Sequence, residues 1–255
     1  MPLTLQLMLW AFGGFALLMV VLIPIGLRHQ RARDGALRLW AESKGMTYHE
    51  SSEVVNARYR DVEPFEGKRS RVLKNVMQGG TDINLRRHAV MCSDFYGSNK
   101  NDDSGPTVHS LVVIDTPYRT PKLIVMRRGL LNRALIASGM QDINFEDADF
   151  SKAFHVMSDD RAFAYEILSP QVIEHLKLWP RSMKRSITSL TVHNGVVVAY
   201  KRNSHWRSPS QFERVLRFAA GFVDRWPDHL LAEWENDPSF RTGVTISNDE
   251  FRPQA

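Results

Sequence analysis

Residues 187–226 read ITSLTVHNGVVVAYKRNSHWRSPSQFERVLRFAAGFVDRW, and this stretch decides the fold class. Residues 187–192 and 196–201 are rich in β-branched side chains and flank His193-Asn194-Gly195. An Asn-Gly pair in that position supplies the positive-φ turn that a tight antiparallel hairpin needs. The hydrophobic period then changes. Ser208-Pro209-Ser210-Gln211 has the form of a capping box with proline at the first helical position. Phe212, Val215, Leu216, Ala219, Phe222, Val223 and Trp226 follow at i, i+3, i+4, i+7 spacing. Such a stripe needs an apolar platform, and the nearest is the sheet that contains the hairpin. The sequence therefore predicts an α+β fold, a mainly antiparallel sheet with helices packed on it.

The preceding residues extend both layers. Residues 71–77, 83–96, 107–115 and 122–127 have the branched content and the Gly, Asp and Pro punctuation of antiparallel strands. Leu111 to Ile114 is apolar at four successive positions, which predicts a central strand covered on both faces. Gly79-Gly80 reads as a tight turn, residues 99–106 as an exposed loop, and residues 46–49 as the start of the first strand. From Asp142 onward helices dominate. Ser158 is placed to cap a helix that carries Asp159 and Asp160 in its first turn. Ser169-Pro170 opens a second helix, with Val172, Ile173 and Leu176 inward and Pro180 closing it. Leu230 to Trp234 suggests a short last helix.

At the other end of the chain, residues 1–27 contain no charged side chain, and Arg28, His29, Arg31 and Arg33 follow directly. As a helix, residues 5–27 would rise roughly 34 Å, enough to cross a hydrocarbon core of about 30 Å. A cleaved secretory signal would carry a positive n-region, a shorter apolar stretch and a small-residue cleavage site, none of which is present. A buried core helix would normally keep a polar stripe, and residues 10–22 have none. The expectation is one N-terminal transmembrane helix, with the N-terminus outside and the rest of the chain in the cytoplasm at the inner membrane, because the arginines lie C-terminal to the span.

This gives four segments: a transmembrane anchor over 1–27, a basic juxtamembrane segment with a short helix at 36–44 over 28–45, a cytoplasmic α+β domain over 46–236, and a loose tail over 237–255. All 33 Lys plus Arg and all 28 Asp plus Glu of the 255 residues fall after Leu27, so the soluble portion carries the whole net charge of +5. Beside a membrane span that balance points to anionic lipid before nucleic acid. Arg28, His29, Arg31 and Arg33 are the residues placed at the membrane surface, where each cation is worth about 1 kcal/mol. A single cysteine, Cys92, excludes an internal disulfide and reads as a small buried hydrophobe.

No zinc, phosphate-loop, nucleophile-elbow or paired-cysteine motif occurs, so the sequence names no catalytic, metal or cofactor residue. Asp142, Glu146, Asp147, Asp149, His155, Asp159 and Asp160 form the densest ionisable cluster. A metal-assisted hydrolase built on it would require at least three of Asp142, Glu146, Asp149 and His155 to converge. The simpler reading makes these acids helix caps and ion-pair partners. A second cluster, Arg181, Lys184 and Arg185 with Lys201, Arg202, His205, Trp206 and Arg207, falls near the open end of the hairpin and could form a patch for phosphate groups of lipid or nucleic acid. His88 and His109 sit in strands with apolar neighbours and read as packed or surface residues.

One stretch carries a resemblance. Asp142-Ile143-Asn144-Phe145-Glu146, then Phe150, Phe154, Val156, Asp159, Phe163-Ala164 and Leu168-Ser169-Pro170, resembles a pattern of uncharacterised bacterial proteins with one or two N-terminal spans and a cytoplasmic domain of unknown function. The resemblance implies a bacterial cytoplasmic-membrane protein and no catalytic residue. It also implies that the acidic cluster is the signature of a strand entering a capped helix. The leading expectation is thus a membrane-anchored, non-enzymatic interaction or scaffold module whose partners are membrane lipid and a protein at the membrane. The membrane-bound hydrolase and the anionic-lipid or nucleic-acid module stand as alternatives.

Overall fold

The computed structural model describes residues 3–52, 59–99, 107–128, 141–179 and 186–241, with side chains described throughout except at 3–21, 69–71, 99 and 141. The strands are β1 (Thr47–Ser52), β2 (Lys68–Ile83), β3 (Arg86–Asn99), β4 (Thr107–Asp115), β5 (Leu123–Arg127), β6 (Gln141–Asp142), β7 (Phe154–Ser158), β8 (Ser189–His193) and β9 (Val196–Arg202). Among the described residues they make one antiparallel sheet in the order β1-β2-β3-β4-β9-β8-β5-β7-β6. The helices are α1 (Leu3–Ser43), α2 (Ala148–Ala153), α3 (Arg161–Ile167), α4 (Pro170–Lys177), α5 (Pro209–Val223) and α6 (Asp228–Asn236).

The predicted hairpin is β8–β9, with His193 opposite Val196 and φ of 50° at Asn194 and 79° at Gly195. Two successive positive φ values give the turn whose twist matches the strands. This hairpin sits between β4 and β5, so the chain crosses from one half of the sheet to the other and returns to fill the gap. β4 is the covered strand the sequence predicts. Val112 and Ile114 join the helix-side core, while Leu111 and Val113 join a second core on the opposite face under Tyr59, Val62 and Phe65.

The acidic, Phe-rich stretch forms a strand entering a capped helix. The Asp147 side chain accepts from Phe150 N at the start of α2. Phe145, Phe150, Phe154 and Trp179 make a run of ring contacts beneath it at 5.5, 5.0 and 5.5 Å. α4 is capped by Ser169 as expected. α5 lays Phe212, Val215, Leu216, Ala219 and Phe222 into the core.

Several local expectations differ. Gly79-Gly80 is not a turn: β2 runs through it, paired with Val90 and Ala89, and the turn falls at Asn84-Leu85, with φ of 52° and 68°. Gly79 takes φ 150°, a conformation that favours glycine, and lies beside the chain leaving α1, where a Cβ would make only an ordinary 3.5 Å contact with Met46 Cα. Asp160, not Ser158, caps α3, because Ser158 is held at the end of β7 by donating to Lys122 O at 2.6 Å. Ser208 makes no side-chain cap to α5; only Gln211 reaches back, to Arg207 N. At the C-terminus the chain stays on the domain past 236. A 3-10 turn at Pro238–Phe240 stacks Phe240 on Trp234, and Arg241 bridges to Tyr118; residues 242–255 lie outside the described ones.

The expected short helix at 36–44 is the C-terminal end of α1, one unbroken helix of 41 residues. It stops where the sequence predicts. Gly45 takes φ 68°, Met46 N donates to Ala41 O at 2.9 Å and Gly45 N to Glu42 O at 3.1 Å. This pair of bonds is the Schellman arrangement, which satisfies the last carbonyls of the helix. Among the described residues no helix is long and apolar enough to cross a membrane. The side chains of residues 3–21, which make up most of the expected span, lie outside the described set.

Candidate functional site

The structure converges on Asp94, a carboxylate whose side chain is fully buried. β3 sets it opposite Lys74 of β2 and Ser110 of β4, on the helix-facing side. Arg33 of α1 donates to Asp94 Oδ2 from Nη2 at 2.6 Å and to Trp206 O from Nε at 2.9 Å. Ser110 Oγ donates to the other carboxylate oxygen and accepts from Trp206 N. One arginine thus ties α1 to the sheet and to the loop after β9.

Asn75 completes the shell by way of a bulge. The pairing steps from Lys74 opposite Asp94 to Met77 opposite Cys92, so β2 holds one extra residue there. Asn75 takes φ 52° within that bulge, a conformation asparagine tolerates better than most residues. Its amide donates to Asp34 Oδ1 at 3.1 Å and to Asp94 Oδ2 at 3.4 Å, and it accepts from Tyr48 Oη at 2.6 Å. His205 Nδ1 lies 3.3 Å from Asp94 Oδ1, an ion-pair distance with poor hydrogen-bond alignment. Its Nε2 meets Tyr96 Oη at 3.3 Å. Burial pushes the Asp94 carboxyl toward its neutral form, but His205, Arg33 and Ser110 together outweigh burial and hold its pKa below the usual carboxylate value. Burial, then the charge of Asp94, raises the Tyr96 phenol.

Above this buried floor opens a cleft of about 1040 Å³ between α1, β1–β3 and the loop after β9. Tyr48 and Tyr96 line its walls, and Lys74 lies over the Tyr96 ring at 5.0 Å. Arg31, Arg33, Arg38, Lys74 and Arg207 supply five fixed positive charges, against Asp34 and Glu50 on the lining and Asp94 beneath. Arg33 is taken up by Asp94 and Arg38 faces Glu42 at 3.2 Å. Arg31 and Arg207 have no acid partner among the described residues. The lining thus carries more fixed positive than negative charge.

The residues singled out in the sequence separate accordingly. His29, Arg31 and Arg33 line the cleft; Arg28 is exposed beside it on α1. Of the hairpin-end patch, Arg207 reaches the cleft. Lys201 has its pKa lowered, first by burial and then by the nearby Arg207 charge, and Arg202 faces Glu63 at 3.6 Å. Arg181, Lys184 and Arg185 lie outside the described residues. The acidic cluster does not gather. Asp142 meets His155 at 3.0 Å, Asp147 caps α2 and pairs with Lys177, and Asp159 accepts from Lys122 N. Glu146 and Asp149 are exposed. Among the described residues no three His, Cys, Asp or Glu side chains form a metal-holding group, so the three-way convergence a hydrolase of that kind requires is not formed.

Asp94, Asn75, Lys74, Tyr48 and Tyr96 were missed by motif. A signal existed for one of them: Asp94 is a carboxylate at an inward position of the otherwise apolar alternation through Val90 and Cys92.

Comparison with known proteins adds the following. A model of a protein family of unknown function, DUF3137, matches residues 107–221, just under half the chain. It runs from β4 through most of α5, taking in Ser110, His205 and Arg207 but neither α1 nor Asp94. Residues 107–221 are thus similar to a domain of unknown function. Among curated proteins no sequence matches. A similar solved structure is that of the mycobacterial trehalose monomycolate transport factor A, TtfA, at 15% identity, 75% of this chain, 92% of that chain and a TM-score of 0.49.

Proposed function

We propose that the protein is a single-pass, membrane-anchored interaction module, with its α+β domain held at the cytoplasmic face of the inner membrane by α1. The observation that carries this reading is how α1 leaves the domain. Leu37 and Ala41 are fully buried against the sheet, whereas residues 22–32 touch little and are exposed. Leu22, Ile23, Ile25 and Leu27 are 50%, 55%, 45% and 49% exposed. At 100° per residue they point in directions of roughly 0°, 100°, 300° and 140° about the axis. They span about 200° of the circumference; apolar side chains spread so widely around an unaccompanied helix suit lipid rather than water, and this segment leads back without a break into a sequence free of charge.

The Arg28 to Arg33 cluster at the foot of the stalk favours a cytoplasmic domain. Tethering then concentrates a weak binding surface toward other membrane components, which is the mechanism of an interaction or scaffold module. Partners on this reading are membrane lipid and a protein at the membrane. The test is alkaline carbonate extraction of membranes from cells making the full chain, together with a reporter fused after Ala255. The protein stays with the membrane pellet and the reporter is active only in the cytoplasm; release into the carbonate supernatant, or a reporter active only outside, refutes the proposal.

A further inference from the structure

We infer that the cleft between α1 and β1–β3 is a binding site for a phosphate-monoester headgroup. The inference rests on the anchored reading for its choice of ligand source and on the cleft itself for its chemistry. Arg31, Lys74 and Arg207 line the cleft from three separate elements, a helix, a strand and a loop. Arg31 and Arg207 are without an acid partner among the described residues. Lys74 is held by a ring, Tyr96, rather than by a carboxylate. Asp94 beneath the floor and Asp34 on the lining both lie within ion-pair distance of Arg33, which leaves Glu50 as the one other lining carboxylate against Arg31, Lys74 and Arg207. A phosphate entering the cleft meets surplus guanidinium and ammonium donors, and guanidinium forks suit its oxygens in paired hydrogen bonds. Tyr48 and Tyr96 bring hydroxyls and apolar ring faces to the same wall, so a headgroup with a glycerol stem has something to lie against.

Position along α1 favours a lipid as the source. At 1.5 Å per residue Arg31 lies roughly 6 Å, and Arg33 roughly 9 Å, beyond Leu27, the last residue of the uncharged stretch. The headgroup layer of one leaflet is roughly 5 to 7 Å deep. The cleft mouth therefore faces the depth at which lipid phosphates sit, while the Arg33–Asp94 pair closes its floor just beyond.

The test uses the full chain in micelles of an uncharged detergent, titrated calorimetrically with two probes that share one phosphate monoester: phosphatidic acid, and glycerol 3-phosphate without acyl chains. Binding of phosphatidic acid at least tenfold tighter than glycerol 3-phosphate supports the inference with a lipid source; equal binding supports it with a soluble one. Arg31→Glu and Arg207→Glu, both exposed, each weaken binding at least tenfold, and Lys74→Gln, which puts no second carboxylate across from Asp94, weakens it less. Arg86→Glu, at the β2–β3 turn roughly 26 Å along β3 from Asp94, leaves it unchanged. Thermal unfolding of each variant checks that it is folded. Binding of neither probe, or equal loss with Arg86→Glu, overturns the inference. Carbonate extraction of the same protein separates the two proposals: a protein that washes off the membrane removes the anchor alone, and the micelle titration still decides the cleft.

Discussion

Replacing Arg33 by methionine keeps the stem of the side chain and removes the guanidinium. Arg33 is 16% exposed and Asp94 0%, so the variant leaves a buried carboxylate with Ser110, Asn75 and a poorly aligned His205 as its remaining partners. Breaking a buried ion pair from one side costs about 3–5 kcal/mol, because the surviving charge is stranded away from water. For a domain of this size each kcal/mol moves the unfolding midpoint by about 2–4 °C, so Arg33→Met lowers it by about 6–20 °C. Asp94→Asn costs less. The asparagine is neutral and can still accept from Ser110, and Arg33 retains Asp34 at 3.5 Å, whose side chain is 31% exposed. The double variant Arg33→Met/Asp94→Leu loses less than the sum of its single variants, by about 2 kcal/mol or more, since no charge is left unpaired. The assay is thermal unfolding of the full chain in an uncharged detergent followed by tryptophan fluorescence, with amide exchange in residues 33–43 of α1 as a local readout. A midpoint shift below about 2 °C for Arg33→Met, with exchange in α1 unchanged, would refute the reasoning that this pair clamps the stalk to the domain.

His109 is buried between Phe95 and Tyr200, and burial first, with Lys68 and Arg202 adding, lowers its pKa to about 4. Between about pH 6.5, the unfolded value, and about 4 the unfolded chain binds the extra proton, so stability falls as pH falls through that window, by about 3 kcal/mol in all. His109→Phe flattens the slope measured by urea unfolding across those pH values; an unaltered slope removes His109 as its source. Burial, with Glu213 adding, raises the Cys92 thiol far above its usual range. A maleimide should therefore leave the native protein unlabelled and react fully in denaturant, whereas rapid native labelling would contradict the packing. Leu85 is fully exposed at φ 68°, so Leu85→Gly relieves backbone strain and raises stability by about 1 kcal/mol in denaturant titration, where a loss of stability would show that the turn is not of this form. Gly221→Ala should destabilise by about 1–3 kcal/mol in the same titration despite better helix propensity, because its Cβ would meet His175 Cε1 at 2.7 Å. A gain would show that His175 yields.

Local chemistry made the hairpin, the stripe of α5, the covered strand β4 and the end of α1 legible. Each follows from residues within one turn or one strand: Asn194-Gly195, Phe212 to Phe222, Leu111 to Ile114, Gly45. Where the reading went astray, a distant contact decided the outcome. Gly79-Gly80 has turn chemistry, yet both residues are held in the ladder by Val90 and Ala89 of β3, which no nearby residue reveals. Ser158 had the right chemistry for a cap and was taken by Lys122 O, just ahead of the neighbouring strand β5. The site was the least legible part. Arg33 reads as one more cation behind an apolar stretch, and only the fold brings it to Asp94, 61 positions away. Asn75 enters through a bulge, and bulges have no motif. The acidic cluster drew notice by density alone, and in the structure Asp147 and Asp160 cap helices, Asp142 pairs with His155, and Glu146 and Asp149 are exposed.

The central claim is that α1 changes surroundings along its length, lipid up to Leu27 and protein from Arg33. Nitroxide labels placed singly at positions 22, 25, 27, 30, 37 and 41 of the full chain in bilayers measure this directly through their collision rates with oxygen and with a water-soluble nickel complex. Cys92 is buried and does not compete for the label. The account predicts oxygen-rich, nickel-poor surroundings at 22, 25 and 27, a crossover at 30, and low collision with both reagents at 37 and 41. Nickel accessibility at 22 through 27 equal to that at 30 would place the stalk in water and contradict it.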